Sequence, residues 1–286
     1  HPQYLEVVRT YVQHAGIHLE LVPFDEQTGQ SSRALAESVD DETAALVVQS
    51  PNFFGCVEDL QALADAAHAK GALLIVAITE AMSLGFLKSP GACGADIVIA
   101  EGQSFGVPLS FGGPYVGLFA TREKYARQIP GRLVGEAYDK KGHRGFVLTL
   151  ATREQHIRRE KATSNICTNE GLIALAATVY LETMGRRGIQ DAAKQCAQKA
   201  AYTARRIARL NGYSLPFTGP FFNEFVVRGP GKAVDLLARL GREKEIDGGI
   251  ALSRFMSDRP NDFLVCLTET NSRQQIEALV DALASV

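Results

Sequence analysis

The chain has 286 residues, 46% of them hydrophobic and 22% charged, an ordinary globular balance that predicts a sizeable core. Its 30 basic and 32 acidic residues leave a formal net charge of −2, which gives no electrostatic reason to expect nucleic acid or an anionic membrane as a partner. The sequence holds no run of 18 apolar residues, so it predicts no membrane span.

The first half predicts alternating strands and helices. Helices are expected up to Gly16 and over 31–39 and 57–70, with strands over 17–22, 44–48, 72–77, 97–100 and 115–120. Near-continuous apolar strands of this kind predict a parallel sheet covered on both faces. The ligand crevice of such a sheet lies beyond the carboxyl ends of its strands, here 49–52, 78–83 and 101–104.

The second half predicts an α+β unit. A short helix from Thr121 to near Gly131 and an extended surface excursion over 131–150 lead into a long helix that Thr168 caps and Gly185 ends. The remaining expected elements are helices over 189–210 and 232–240 and strands over 222–227, 251–252 and 263–267. The last helix begins at Ser272, with Gln275 completing a capping box.

The five cysteines are scattered and odd in number, with no CxxC pair and no histidine at metal-ligand spacing. They predict reduced, mostly buried thiols in a cytoplasmic protein, and they predict no metal site.

A loop without charged residues follows the strand over 97–100. It is punctuated by four glycines and two prolines: Gly102, Gly106, Pro108, Gly112, Gly113 and Pro114. Taken alone, this pattern predicts a buried hairpin-like loop between two strands.

The loop resembles one that follows the lysine-bearing strand in pyridoxal-phosphate enzymes of the aspartate-aminotransferase fold, and in particular the P-protein of the glycine cleavage system. The catalytic half of that family carries a His-Lys-Thr-Phe run, then Pro, then a Gly-rich segment ending in Gly-Pro. Here the run reads Gly102-Gln103-Ser104-Phe105, then Pro108, then Gly-Gly-Pro over 112–114.

The resemblance places Gln103 at the position of the Schiff-base lysine. Because an amide nitrogen is not a usable nucleophile, the loop cannot link covalently to the cofactor, and no catalytic residue is assigned to this chain. In this respect the chain resembles the non-catalytic subunit of the two-subunit P-protein.

The resemblance covers essentially the whole chain, through HPQY, QSPNFFG, SLG, GADIV, the glycine loop and REKATSNICTNE. It implies an α/β fold, the pyridoxal-phosphate-dependent transferase (aspartate aminotransferase, type I) fold, here as a fragment. Residues 1–150 would form part of the large domain, with a mainly parallel sheet and its N-terminal portion missing. Residues 151–286 would form an interdomain helix and a C-terminal α+β small domain.

The resemblance also implies a function. A lysine-bearing second subunit would hold pyridoxal phosphate, decarboxylate glycine and pass the aminomethyl group to the lipoyl H-protein, and this chain would complete that site in trans. Thr163, Ser164 and Asn165 are expected to hydrogen-bond to the phosphate of the partner's cofactor, since hydroxyls and N–H groups near a helix start suit a dianion. The second possible role of Thr163 and Ser164 is only to cap or turn the chain.

Several further residues have two possible roles each. Glu80 is a satisfied loop acid or a partner of the pyridine nitrogen. Asn52, Phe53 and Phe54 line the crevice or pack on the sheet, and three arginines steer an anion or are solvated: Arg153, Arg158 and Arg159. The chain as a whole could instead bind pyridoxal phosphate itself through Lys88 or Lys161, or be a structural or regulatory subunit without a ligand.

Overall fold

The computed structural model describes residues 1–129, 133–150, 155–162 and 170–285. The helices within these ranges are α1 (Pro2–Val12), α2 (Ser32–Ser38), α3 (Leu60–Ala69), α4 (Gln155–Arg158), α5 (Gly171–Ile207), α6 (Ala233–Lys244) and α7 (Arg273–Ser285). The strands are β1 (Ala45–Gln49), β2 (Leu73–Ile78), β3 (Ile97–Glu101), β4 (Gly117–Thr121), β5 (Leu133–Tyr138), β6 (Arg144–Thr149), β7 (Glu224–Arg228), β8 (Ile250–Ala251) and β9 (Asp262–Cys266).

The first sheet has the order β1-β2-β3-β4, with three parallel strands and an antiparallel β4 at its edge. Helix α3 packs on one face of it because its apolar residues recur at helical spacing, and Leu63 and Ala67 are fully buried in one core with Leu74. Asp59 caps the helix by accepting the Ala62 N–H at 3.1 Å. The predicted mainly parallel sheet is confirmed.

The opposite face of this sheet is open. Val47, Ile99 and Phe119 all have exposed side chains there, on β1, β3 and β4. The prediction of a sheet covered on both faces is therefore wrong for the described residues. The strands are apolar on both sides, as predicted, but only the side that packs against α3 is covered.

The second half contains a three-stranded antiparallel sheet with the order β7-β9-β8. Its core joins this sheet to α6, α7 and the end of α5, with Phe263, Leu240 and Ile207 fully buried. The capping box of α7 is confirmed, since the Ser272 N–H donates to Gln275 Oε1 (2.8 Å) and the Gln275 N–H to Ser272 Oγ (3.2 Å). The α+β character is thus confirmed, and the domain division at residue 150 stays a prediction.

Of three local predictions, two need correction and one is confirmed. Residues 17–22 form no strand, because their alternating pattern finds no ladder partner and Ile17 and Leu21 stay exposed. The helix expected from Thr121 is a 3-10 turn over Glu123–Gln128. The break expected at Gly185 is confirmed, since Gly185 has non-helical backbone angles (φ 59°, ψ 180°) and marks a kink between two helical segments of α5.

No described helix has the combination of length and apolar character that a membrane span needs. Four of the five cysteines lie in the described residues and all four are free. Cys56, Cys93 and Cys196 are buried as predicted, whereas Cys266 is exposed. Cys167 lies outside the described residues.

Candidate functional site

The carboxyl ends of β1, β2 and β3 lie side by side, because these strands are parallel and in register. We call the residues that follow them the strand-end crevice: 49–52, 79–83 and 101–104. Gln49 links two of the ends, since its Nε2 donates to Thr79 Oγ1 (3.3 Å) and to the Pro51 carbonyl (3.0 Å). The three predicted strand-end loops are therefore neighbours.

The glycine loop is fitted closely between β3 and α5. The Gly102 N–H donates to the Val116 carbonyl at 2.7 Å, and a Cβ on Gly102 would lie 2.8 Å from Val116 Cγ1. Gly106 has φ +84° and would place a Cβ 2.7 Å from Tyr180 Cβ. Glycine is therefore needed at both positions.

The tip of this loop is exposed, contrary to the prediction of a buried loop. Phe105, at the base, is buried and stacks on Tyr180 with ring centroids 6.4 Å apart. Leu109 is 82% exposed, and Phe111 is fully exposed. The antiparallel pairing of β3 with β4 confirms the hairpin connection.

Gln103, the residue at the expected lysine position, is held by the loop itself. Its backbone N–H donates to Glu101 Oε1 at 3.0 Å, and its side-chain Nε2 donates to the Val107 carbonyl. The Val107 N–H donates back to the Gln103 carbonyl at 3.1 Å. The carboxamide thus stabilises the turn into the glycine loop.

Carboxylates dominate the side of the crevice that faces β7. Removal from water raises the pKa of the Glu224 carboxyl to about 7, and the negative charge of Glu80 adds to this shift. Glu80 itself accepts the Met82 N–H at 2.8 Å and caps the 3-10 turn that follows β2. The structure therefore gives Glu80 the role of a satisfied loop acid.

Two cysteines adjoin these carboxylates. Burial raises the pKa of the Cys196 thiol to about 12, and that thiol donates to Glu269 Oε2 at 3.2 Å. Cys266 is exposed as a residue, but partial removal of its thiol from water, followed by the charges of Glu224 and Glu80, also raises the pKa of that thiol. Both side chains are protonated at neutral pH, so neither is a thiolate nucleophile.

Asn52 and the phenylalanines after it are structural. The Asn52 amide donates to the Gly29 carbonyl (2.7 Å) and to Glu58 Oε1 (2.8 Å), and its Oδ1 accepts from the backbone of Phe54. Phe54 is buried, and Phe53 packs on it with ring centroids 5.8 Å apart. Two roles were possible for these residues, lining the crevice or packing in the interior, and the structure confirms packing.

The other predicted site residues are dispersed or undescribed. Lys88 and Lys161 are exposed, and neither follows a strand of the parallel sheet. Arg159 is exposed with φ 52°, and Arg158 is the last residue of α4. Thr163, Ser164, Asn165 and Arg153 lie outside the described residues.

The residues of the strand-end crevice do not fit a covalently held pyridoxal phosphate. The position of the expected lysine carries a carboxamide that donates a hydrogen bond to the Val107 carbonyl. The carboxylates of Glu80 and Glu224 would also repel a phosphate dianion. Among the described residues, no group of three or more His, Cys, Asp or Glu side chains could hold a metal ion.

Sequence reasoning missed Glu224 as a member of this site. It lies more than 100 residues from the glycine loop, and its position beside Glu80 depends on how β7 packs. An acid at the start of an otherwise apolar strand, in FNEFVV, was the available signal.

Comparison with known proteins gives a consistent family. The family model described as "Glycine cleavage system P-protein" matches residues 1–283. A protein of Desulforamulus reducens, named "Probable glycine dehydrogenase (decarboxylating) subunit 1", is 49% identical over the whole chain. The chain spans 64% of that relative's length.

Solved structures agree with this match. The crystal structure of a glycine decarboxylase (P-protein) in inhibitor-bound form superposes with a TM-score of 0.91 at 39% identity, over all of this chain and 63% of that one. A C-DES mutant with glycine covalently linked to its PLP cofactor superposes with a TM-score of 0.71 at 17% identity, over 99% of this chain and 72% of that one. The second likeness shows the fold alone, and it confirms the type I fold of pyridoxal-phosphate enzymes.

Proposed function

Because the chain belongs to the glycine cleavage system P-protein family, we propose that it is part of the non-catalytic subunit of a two-subunit glycine decarboxylase. Its partner is a second subunit that carries the lysine. Together they decarboxylate glycine and pass the aminomethyl group to the lipoyl arm of the H-protein, in the cytoplasm.

The observation that carries the proposal is the state of Gln103. Its amide has no nucleophilic nitrogen, and it donates a hydrogen bond to the Val107 carbonyl inside the loop. A relative named as subunit 1 also implies a subunit 2. Both facts favour a chain that supports a site elsewhere over one that holds its own cofactor.

We assign the supporting role to Thr163, Ser164 and Asn165. Pyridoxal phosphate, when bound in the partner, supplies the electron sink for loss of CO2 from glycine. The hydroxyls and amides over 163–165 would donate hydrogen bonds to its phosphate across the interface. Residues 1–150 would then form part of a large domain, and 151–286 an interdomain helix and a small domain.

The first test is the activity of the full-length chain with its lysine-bearing mate. Glycine-dependent exchange of CO2 is expected when both subunits and the H-protein are present, and it is expected to be absent with either subunit alone. Exchange by this chain alone, or a covalent link from any of its residues to the cofactor, would contradict the proposal.

The second test addresses the phosphate contact. We expect Thr163→Ala to weaken retention of pyridoxal phosphate by the assembled complex about tenfold, the effect of removing one hydrogen bond to a charged group. Thr183→Ala is the matched control, since the Thr183 hydroxyl donates within α5 to the Val179 carbonyl at 2.7 Å. Equal retention in both variants, measured by cofactor release on dilution, would remove the role of Thr163.

A further inference from the structure

The β5–β6 hairpin forms a two-stranded sheet of its own, joined to neither of the other sheets. It has six residue pairs, from Leu133 opposite Thr149 to Tyr138 opposite Arg144. Isolated two-stranded hairpins are at best marginally stable in water, and they need a further packed surface. A hairpin of this length therefore calls for something that covers it.

One face of the hairpin is apolar and open. Cross-strand partners share a face, so the register places six side chains together on what we call the hairpin face: Val134, Glu136, Tyr138, Arg144, Phe146 and Leu148. All of them are exposed, Val134 at 65% and Phe146 at 64%. Four large apolar side chains on one exposed face are typical of a contact surface.

The charges on the hairpin face are already neutralised. Glu136 accepts the Tyr138 hydroxyl at 2.7 Å and lies 3.8 Å from Arg144 Nη1. The Arg144 guanidinium lies over the Phe146 ring, 5.3 Å from its centroid. The surface that covers this face therefore needs apolar groups, with no charge of its own to balance.

The hairpin leads directly into the segment that the proposed function places at the partner's cofactor. Strand β6 ends at Thr149, fourteen residues before Thr163. Each arm of six residues is about 20 Å long, enough to lie along a neighbouring chain. A partner that covers the hairpin would also hold the downstream segment against the partner's own surface.

We infer that the hairpin face is a docking surface for the lysine-bearing second subunit, where it packs against an uncharged apolar patch. This inference rests on the proposed function, because it takes the second subunit as the occupant. It adds the surface through which the two chains meet.

The test uses the full-length chain and its lysine-bearing mate. We expect Val134→Glu to weaken their association about 10- to 100-fold, since it removes one buried aliphatic side chain and places a charge in an apolar contact. Val234→Glu is the matched control, because Val234 is 56% exposed on α6, and we expect it to leave the affinity unchanged. Sedimentation velocity or titration calorimetry gives both affinities.

A second variant and a second measurement separate docking from folding. Phe146→Thr removes the aromatic ring but places a β-branched residue, which favours strands, at this position, and we expect it to weaken association as well. Hydrogen exchange in the wild type should show hairpin amides that are open in the free chain and protected in the complex.

Each remaining outcome overturns the inference. Unchanged affinity in both hairpin variants would exclude docking there. Hairpin amides already protected in the free full-length chain would mean that another segment of that chain covers the face, and a free-chain dimer that Val134→Glu dissolves would make a second copy the occupant. If the two wild-type subunits do not associate, the proposed function is overturned too. If they associate and the hairpin variants leave their affinity unchanged, only this inference is overturned.

Discussion

Glu224 is the residue whose titration links this site to stability. Its pKa is about 7 in the folded chain and 4.5 ordinarily, so between those values the folded chain binds more protons than the unfolded chain. The free energy of unfolding therefore falls as the pH rises from about 4.5 through 7, and the loss persists above pH 7.

We expect Glu224→Gln to be more stable than the wild type at pH 8, by on the order of 1–3 kcal/mol, because the amide stays neutral. The difference should vanish near pH 4.5. Urea unfolding at the two pH values measures it, and Glu243→Gln, at an exposed position on α6, is the control. A stability difference between the variant and the wild type that is the same at both pH values would show that folding does not raise the pKa of Glu224.

At the scale of elements, the glycine loop depends on its contact with α5. We expect Gly106→Ala to destabilise the chain by about 2–4 kcal/mol, because the new Cβ would meet the Tyr180 Cβ at 2.7 Å in addition to the strain at φ +84°. Gly112→Ala is the control, because it adds a Cβ at φ +110° with open space around it. We expect it to lose only the stability that the backbone strain costs, with no clash. Equal losses in urea unfolding would show that the loop does not pack on the helix.

Elements with a local cause were predictable from the sequence. The capping box of α7 and the apolar runs of β1 to β3 each depend on neighbouring residues, and all were found. Residues 17–22 carried a strand pattern without a strand to pair with, which no local pattern reveals. Glu224 was missed for the same reason, since packing over a long sequence separation brings it beside Glu80.

At the scale of the whole molecule, Arg259 joins the segment before α2 to the second sheet. Its buried guanidinium donates to Asp262 Oδ2 (3.2 Å) and to Glu26, and it lies over the rings of Phe24 (5.3 Å) and Phe217 (5.1 Å). A second arginine, on β7, holds Asp262 as well, in a bidentate pair at 2.7 and 2.8 Å. Residues far apart in the chain therefore share one ion-pair network.

We expect Arg259→Met to lower the free energy of unfolding by about 2–4 kcal/mol, since the methionine keeps the volume and loses the charge and the ring contacts. Guanidinium unfolding gives the value. Arg254→Met is the control, because Arg254 is exposed and lies over a single ring, that of Phe255. A loss no larger than that of the control would mean that the network contributes nothing to stability.

The turn that Gln103 closes with Val107 is complete without any small molecule. A ligand regulates a protein only by binding one of two conformations more tightly. A turn that its own hydrogen bonds already close offers no second conformation at that point. A metabolite that bound in the strand-end crevice would therefore not change assembly through this turn. Under the proposed function, a response of assembly to the substrate would therefore come from the lysine-bearing subunit.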